Sequence, residues 1–334
     1  MKHPLLTFTP EGIFCRQGNF FIDPSKPVKD AIITHAHSDH ARFGHKNYLA
    51  HQQSLPILYQ RLGEINVSGV RYNETISKNG VNISLHPAGH IVGSSQVRVE
   101  YKGEVWCVSG DYKTTPDPIA QNFEPVRCHT FITETTFGLP IFQWPDERSV
   151  IEQIESWWQE NQSKGKVSLI SAYALGKAQR ILSCIDTSVG PIYCHGAVDV
   201  INKLHVDLGF LEDKFPHLST QISKEKLVGS LVIAPPSAIG SSWVKRLGSV
   251  SVGMASGWMM LRGSKRRQNV DRGFVLSDHS DWQGLNDAID ATSAERVICM
   301  HGYSDTFSRW LNHRGYRAES ENTLVEHDSK PDSE

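Results

Sequence analysis

Short apolar runs fill the first third of the chain, and each stops at a turn signal. Phe20–Ile22 ends at Asp23-Pro24, and Ala31–Thr34 runs into a histidine cluster. Val97–Tyr101 and Glu104–Val108 alternate between apolar and polar, the period-two pattern of a half-buried strand. Lys102-Gly103 and Asn79-Gly80 punctuate these runs as turns. From about Pro145 the period changes. Within Ser149–Glu160 the residues Ile151, Ile154 and Trp158 recur at helical spacing, which predicts an amphipathic helix packed on a core. Val167–Ile170 and Leu231–Ala234 read as buried strands, and helices are predicted from about Leu175 and over Val198–Leu208. Strands alternating with helices indicate an α/β unit with a mainly parallel sheet. After about Arg272 polar chemistry returns in Gly273–His279. The order predicts a β-rich domain with an α/β domain inserted into it, and a polar tail after Glu326 that frays.

Composition narrows the class. With 334 residues, 39% hydrophobic and 21% charged, the chain can bury one large core or two moderate ones. It contains no apolar run of the roughly 18 residues a membrane span needs. The start, Met1 to Pro10, lacks the apolar core and cleavage site of a secretory signal. Six cysteines are scattered with no C-x-x-C pair, which predicts reduced, buried thiols and a cytoplasmic setting. Lys plus Arg minus Asp plus Glu is 34 − 36 = −2, so nucleic acid would have to meet a local basic surface.

The densest chemistry is Thr34-His35-Ala36-His37-Ser38-Asp39-His40, directly after an apolar strand. Alternate positions His35 and His37 project together from an extended segment, while Asp39 and His40 come one turn later and can face a neighbouring ion. An H-x-H-x-D-H spacing therefore suits two adjacent metals. Two further candidates follow: His90, between the glycines of Pro87–Ser94, and Asp111 of Ser109–Tyr112, just after a strand. Taken alone, each is as readily a turn residue as a ligand.

In order and context, His35–His40, His90 and Asp111 resemble the ligand motifs of metallo-β-lactamase-fold hydrolases. Thr133–Gly138, Ala174–Arg180, Ser277–Asp281 and Met300–Gly302 resemble motifs of the β-CASP nucleases within that fold. Met254–Met259, Arg272–Trp282, His301–Tyr303 and Arg309–Leu311 are most similar to bacterial ligase-associated DNA exonucleases, and the likeness runs from about Phe14 to Thr323. The resemblance implies an αββα metallo-β-lactamase sandwich, class α/β, over 1–143 and 271–326, with a smaller β-CASP-like α/β domain inserted over 144–270 and a tail over 327–334. It implies that His35, His37 and His90 hold one divalent ion, that Asp39, His40 and His301 hold the other, and that Asp111 bridges them. Asp23 would support the site from behind. Histidine ligands favour zinc, and bridging carboxylates also accept manganese. Such a pair generates hydroxide near neutral pH for attack on a phosphodiester. Asp39, His279 and Glu134 match the family's catalytic positions, with His279 giving the leaving oxygen its proton and Glu134 orienting it. The implied activity is exonucleolytic DNA hydrolysis in repair or end processing, in functional association with an ATP-dependent DNA ligase and a helicase.

The substrate surface is less specific. Arg262, Lys265, Arg266, Arg267 and Arg272 place five cations against the single acid Asp271, the footprint of a phosphate-tracking channel or of a solvated loop. Lys177 and Arg180 share a helix face, either on that channel or in solvent. Ser94 and Ser95 either contact phosphate or stabilise their turn. Trp258 stacks a base or belongs to the core. The remaining histidines, among them His45, His51, His195 and His205, are read as structural or surface residues. Three competing activities remain: a β-CASP ribonuclease, favoured by His301; a small-ester or thioester hydrolase, which would need neither Glu134 nor His279; and an inactive nucleic-acid-binding scaffold, which would lack ligands that are present here.

Overall fold

The computed structural model describes residues 4–322, the side chain of Arg267 excepted; the tail expected to fray lies outside these residues. The chain divides into two compact units. One comprises the residues up to Phe142 and those from His279 onward, the other Gln143–Asp278.

The first unit is built on two sheets. The six-stranded sheet follows chain order: Thr7–Thr9, Gly12–Cys15, Phe20–Ile22, Asp30–Ile32, Asn47–His51 and Val67–Val70. The seven-stranded sheet runs Arg317–Ser320, Arg296–Met300, Thr130–Glu134, Glu104–Val108, Ser95–Tyr101, Val81–Pro87 and Thr75–Lys78. Asn79-Gly80 and Lys102-Gly103 turn two of its hairpins with left-handed backbone at both residues, the geometry that matches strand twist. Neighbouring residues of a strand serve opposite faces. Trp106 and Val108 join a core shared with Phe8, Ile13 and Phe20 of the other sheet, while Val105 and Cys107 pack with Leu285, Ile289, Phe307 and Leu311 from the helices Trp282–Thr292 and Ser304–His313. One face of the seven-stranded sheet thus meets the other sheet, and the opposite face is covered by helices.

The second unit carries a five-stranded, wholly parallel sheet in the order Ile192–Cys194, Leu231–Ala234, Val167–Ser171, Val250–Ala255, Arg272–Phe274. Val167–Ser171 and Leu231–Ala234 are buried throughout, which explains their continuous apolar runs. Ile170 and Ile233 pack with Ile151, Ile154 and Trp158 of the helix Glu147–Ser163; Leu169 and Val232 pack with Leu218, Leu227 and Leu247. That helix starts two residues before the expected Ser149, because Asp146 caps it by accepting the Ser149 N–H at 3.0 Å. All six cysteines are free, and all but Cys184 are buried. No helix among the described residues is long and apolar enough to cross a membrane.

Candidate metal and active site

The candidate ligands lie in the first unit, each at or just beyond the carboxyl end of a strand. Asp23 follows Phe20–Ile22, the His35–His40 cluster follows Asp30–Ile32, His90 follows Val81–Pro87, Asp111 follows Glu104–Val108, Glu134 ends Thr130–Glu134, and His301 follows Arg296–Met300. The last four of these strands point the same way, so their loops gather at one sheet edge. The strand before the cluster ends two residues earlier than the apolar run suggests. Thr34 leaves the ladder because Asp23 accepts its N–H at 2.8 Å and its hydroxyl at 2.6 Å. Gly110 lets the Asp111 loop approach; a Cβ there would lie 2.7 Å from the Cβ of Thr34.

These contacts set the imidazole tautomers. Since the Thr34 hydroxyl donates to Asp23, the His35 Nδ1, 3.0 Å away, donates to Thr34 and leaves Nε2 a bare lone pair. His40 Nδ1 lies 2.7 Å from Asp23 Oδ2 and donates there, which directs Nε2 toward Asp111. Asp23 thus orients two histidines, one directly and one through a hydroxyl. The Nδ1 of His37 lies 3.1 Å from His35 Nε2 and 3.0 Å from His90 Nε2. A tetrahedral zinc at about 2.0–2.1 Å from its nitrogens needs them about 3.3 Å apart, within a few tenths of an ångström of what the chain provides.

Asp111 closes this cluster. Its Oδ2 is 3.5 Å from His35 Nε2, 3.4 Å from His40 Nε2 and 3.8 Å from His90 Nε2. Burial opposes the Asp111 charge, yet the surrounding His40, His279 and His35 hold its carboxyl well below the ordinary range. Burial, aided by His40, pushes His35 well below its ordinary value. For His40 burial is outweighed by Asp111 and Asp23, which hold it well above. A buried anion ringed by imidazole nitrogens is the complement of a divalent cation, so the donor set fits the metals that the motif implies.

The second ion's candidates are more open. The Asp39 side chain is 69% exposed, with Oδ2 3.8 Å from His40 Nε2. His301 is exposed and its ring centroid stands 5.8 Å from that of His40. Its left-handed backbone is pinned instead: the N–H donates to Glu321 at 2.9 Å and the carbonyl accepts the Thr135 hydroxyl at 2.5 Å. Among the described residues, ligand atoms come within 4.8 Å of one another in two groups, His35-His37-His90-Asp111 and Asp111-Glu134-His279. Asp39, His40 and His301 do not form a third. A cavity of about 370 Å³ borders these three residues together with Ile22, Gly110 and Met300.

The second group contains the acid–base candidates. His279 Nδ1 lies 2.9 Å from each oxygen of the buried Glu134 carboxylate. Glu134 also accepts the Tyr112 N–H at 2.8 Å and the Thr136 hydroxyl at 2.5 Å. The other nitrogen of His279, Nε2, is 4.0 Å from Asp111 Oδ2.

No family model matches the sequence. Over 311 residues, 92% of this chain and 30% of the relative, it is 29% identical to a "Probable DNA ligase" of Opitutus terrae. It is 32% identical over 159 residues to "Transcription termination factor FttA" of Thermococcus kodakarensis, covering 43% of this chain and 24% of the relative. It is 28% identical over 124 residues to "Endoribonuclease YSH1" of Saccharomyces cerevisiae, covering 36% of this chain and 15% of the relative. The likeness supports the β-CASP group of metallo-β-lactamase-fold nucleases. The chain spans less than a third of the length of these curated relatives. A solved protein of unknown function from Enterococcus faecalis V583 shares the fold, with a TM-score of 0.57 at 12% identity over 82% of this chain and 75% of that one.

At the residues read from the sequence as a substrate surface, the structure departs from that reading. Lys177 and Arg180 are buried rather than open to a strand. Lys177 Nζ pairs with Asp278 at 3.0 Å, and Arg180 donates to the Ser277 carbonyl, to Asp278 and, through Nε at 2.5 Å, to Glu147. Both cations therefore hold the segment that precedes His279. Ser94 and Ser95 are also buried, with their hydroxyls used in the turn: Ser94 Oγ accepts the His90 and Ile91 N–H groups at 3.1 and 3.2 Å, and Ser95 donates to the Gly93 carbonyl at 3.1 Å. Arg262, Lys265 and Arg266 are exposed; Arg267 ends the short helix Ser264–Arg267. Trp258 is 40% exposed and is not core. Sequence reasoning missed Thr34, which the motif displays, and Arg61, which it does not. Arg61 reaches from the helix Leu55–Leu62 to donate to the Ala36 carbonyl, between His35 and His37.

Proposed function

We propose that the chain is a metal-dependent phosphodiesterase that removes nucleotides from DNA ends, with the second unit, Gln143–Asp278, as its inserted β-CASP-like domain. The observation that carries the reading is the position of the Asp111 carboxylate: one oxygen faces the metal-type histidine trio and also the His279–Glu134 pair. A metal cage and a proton donor that share one anion suit the displacement of an alkoxide from phosphorus.

In this reading His35, His37, His90 and Asp111 would hold one divalent ion, and Asp39, His40 and His301, with Asp111, would hold a second. When bound, divalent ions supply charge for the phosphate oxygens and lower the pKa of water. Glu134, itself fixed by Tyr112 and Thr136, holds His279 through Nδ1 and turns Nε2 toward the reacting edge. Nε2 carries the proton for the leaving oxygen, and the Glu134 charge offsets that of the imidazolium. The exposed Asp39 and His301 leave room for a polymer to approach on that side.

Similarity along 92% of the chain to a protein named "Probable DNA ligase" supports DNA as substrate and a functional association with a DNA ligase. His301, together with the name Endoribonuclease borne by a shorter match, favours RNA as the second reading. End-labelled single- and double-stranded DNA and RNA, digested with zinc or manganese supplied in turn, test both. Stepwise loss of terminal nucleotides from DNA is the expected result. Cleavage of RNA alone transfers the reading to RNA, and full activity in metal-stripped protein removes it.

A further inference from the structure

The second unit carries a topological feature that neither the metal site nor the basic run uses. From the central strand Val167–Ser171 the chain passes to one side, through Ile192–Cys194 and Leu231–Ala234; it then crosses to the other side, through Val250–Ala255 and Arg272–Phe274. The connections that leave Val167–Ser171 and Val250–Ala255 therefore diverge, and these two strands are direct parallel neighbours, with Ser171 opposite Met254. Such a switch point opens a crevice beyond the carboxyl ends of the two strands, which is where open α/β sheets take their ligands.

Each loop at this crevice presents a large aromatic side chain. Tyr173, two residues beyond Ser171, is 59% exposed, and Trp258, three residues beyond Ala255, is 40% exposed. Both are anchored. Lys177 Nζ stands 5.2 Å from the centre of the Tyr173 ring and is itself tied to Asp278, while Ser256 Oγ accepts the backbone N–H of Trp258 at 3.3 Å and fixes the start of its turn. Ser171, the last residue of the central strand, has a buried hydroxyl with no hydrogen-bond partner among the described residues. The chain then runs from Trp258 into the exposed cations Arg262, Lys265 and Arg266.

We propose that Tyr173 and Trp258 form a base-stacking platform for single-stranded nucleic acid, with the backbone of that strand tracked by Arg262, Lys265 and Arg266. The proposal rests on the nucleic-acid reading above. Fixed aromatic faces beside a line of cations are the chemistry that binds a single strand without regard to sequence, because every base offers a π-face and every link a phosphate. A duplex does not fit, since its bases are stacked on one another.

The test uses the full chain, a hydrolysis-resistant phosphorothioate oligothymidylate and an abasic strand of equal length, with binding read by fluorescence anisotropy across salt concentrations. Tyr173→Ala and Trp258→Ala are each expected to weaken the base-bearing strand about five- to hundredfold. Affinity for the abasic strand and the salt slope should stay at wild-type values, because no phosphate contact is lost. Tyr173→Phe and Trp258→Phe should recover most of the loss. Wild-type affinity of both alanine variants for the base-bearing strand overturns the proposal, as does an equal loss on both strands. A chain that shows the expected pattern but hydrolyses no nucleic acid keeps the platform and loses the nuclease. A chain that degrades DNA while its alanine variants bind normally loses the platform alone.

Discussion

Glu134 grips His279 by a single nitrogen, with both carboxylate oxygens 2.9 Å from Nδ1. Proton traffic at this histidine is therefore confined to Nε2. His279→Ala is expected to lose roughly 10²–10⁴-fold in rate while keeping its metals. A nitrophenyl phosphodiester, whose leaving group needs no proton, should lose far less. Equal losses on the two substrates would show that His279 acts in another way.

Metal content follows from the Asp111 cluster. Elemental analysis should approach two transition-metal ions per chain, and His37→Ala or Asp111→Ala should abolish nuclease activity without unfolding the protein. Because Asp23 orients His40 directly and His35 through Thr34, Asp23→Ala should weaken metal affinity by about 10–100-fold, as read by competition with a chelating dye. Unchanged affinity would mean that the histidines hold their orientation without it.

His51 supplies a pH prediction away from the metals. It is buried, its ring stacks on Tyr72 with centroids 3.6 Å apart, and its Nδ1 accepts the Gln53 N–H at 3.4 Å. Burial lowers its pKa to about 4, whereas the unfolded chain binds the proton near pH ~6.5. Its contribution to stability is thus present above pH ~6.5 and is lost as the pH falls toward 4, by roughly 2–3 kcal/mol. Urea denaturation of chelator-treated protein at pH 7 and pH 4.5 should show a smaller acid loss in His51→Gln than in wild type; identical losses would rule His51 out.

The exposed basic run makes a separate electrostatic prediction. If Lys265 and Arg266 each meet a phosphate, neutralising both flattens the slope of log affinity against log salt by about 1.4 on single strands, at roughly 0.7 per contact. An unchanged slope would return the run to the solvent.

The legible parts of this molecule were those whose partners lie close in sequence. The strand into His35–His40, the two-residue turns at Asn79-Gly80 and Lys102-Gly103, and the helix around Ile151, Ile154 and Trp158 are written in local spacing. Burial of Lys177 and Arg180 was not legible, because Asp278 lies about a hundred residues away in the chain and no helical periodicity registers it. Exposure of Trp258 was not legible either: the glycine beside it says nothing about which strand end the loop leaves. The motif gave both sets of ligand candidates alike, but not that one is compact while Asp39 and His301 stand open, a difference set by the backbone of the loops that carry them.

One sheet pairing sets an order on how this chain comes to exist. Thr130–Glu134 finds its neighbour Arg296–Met300 only after all of Gln143–Asp278 has been made. At about 5–20 residues per second, the edge of that strand waits on the ribosome for roughly ten to thirty seconds with its amides unpaired. The intervening segment draws its cores from its own residues and can close during the wait. It then behaves as a folded body joining two nearby ends, not as a long flexible loop, so the entropy of bringing the late strand home is set by its short flanks. The proposed centre is thus completed last, once His279 and His301 have emerged.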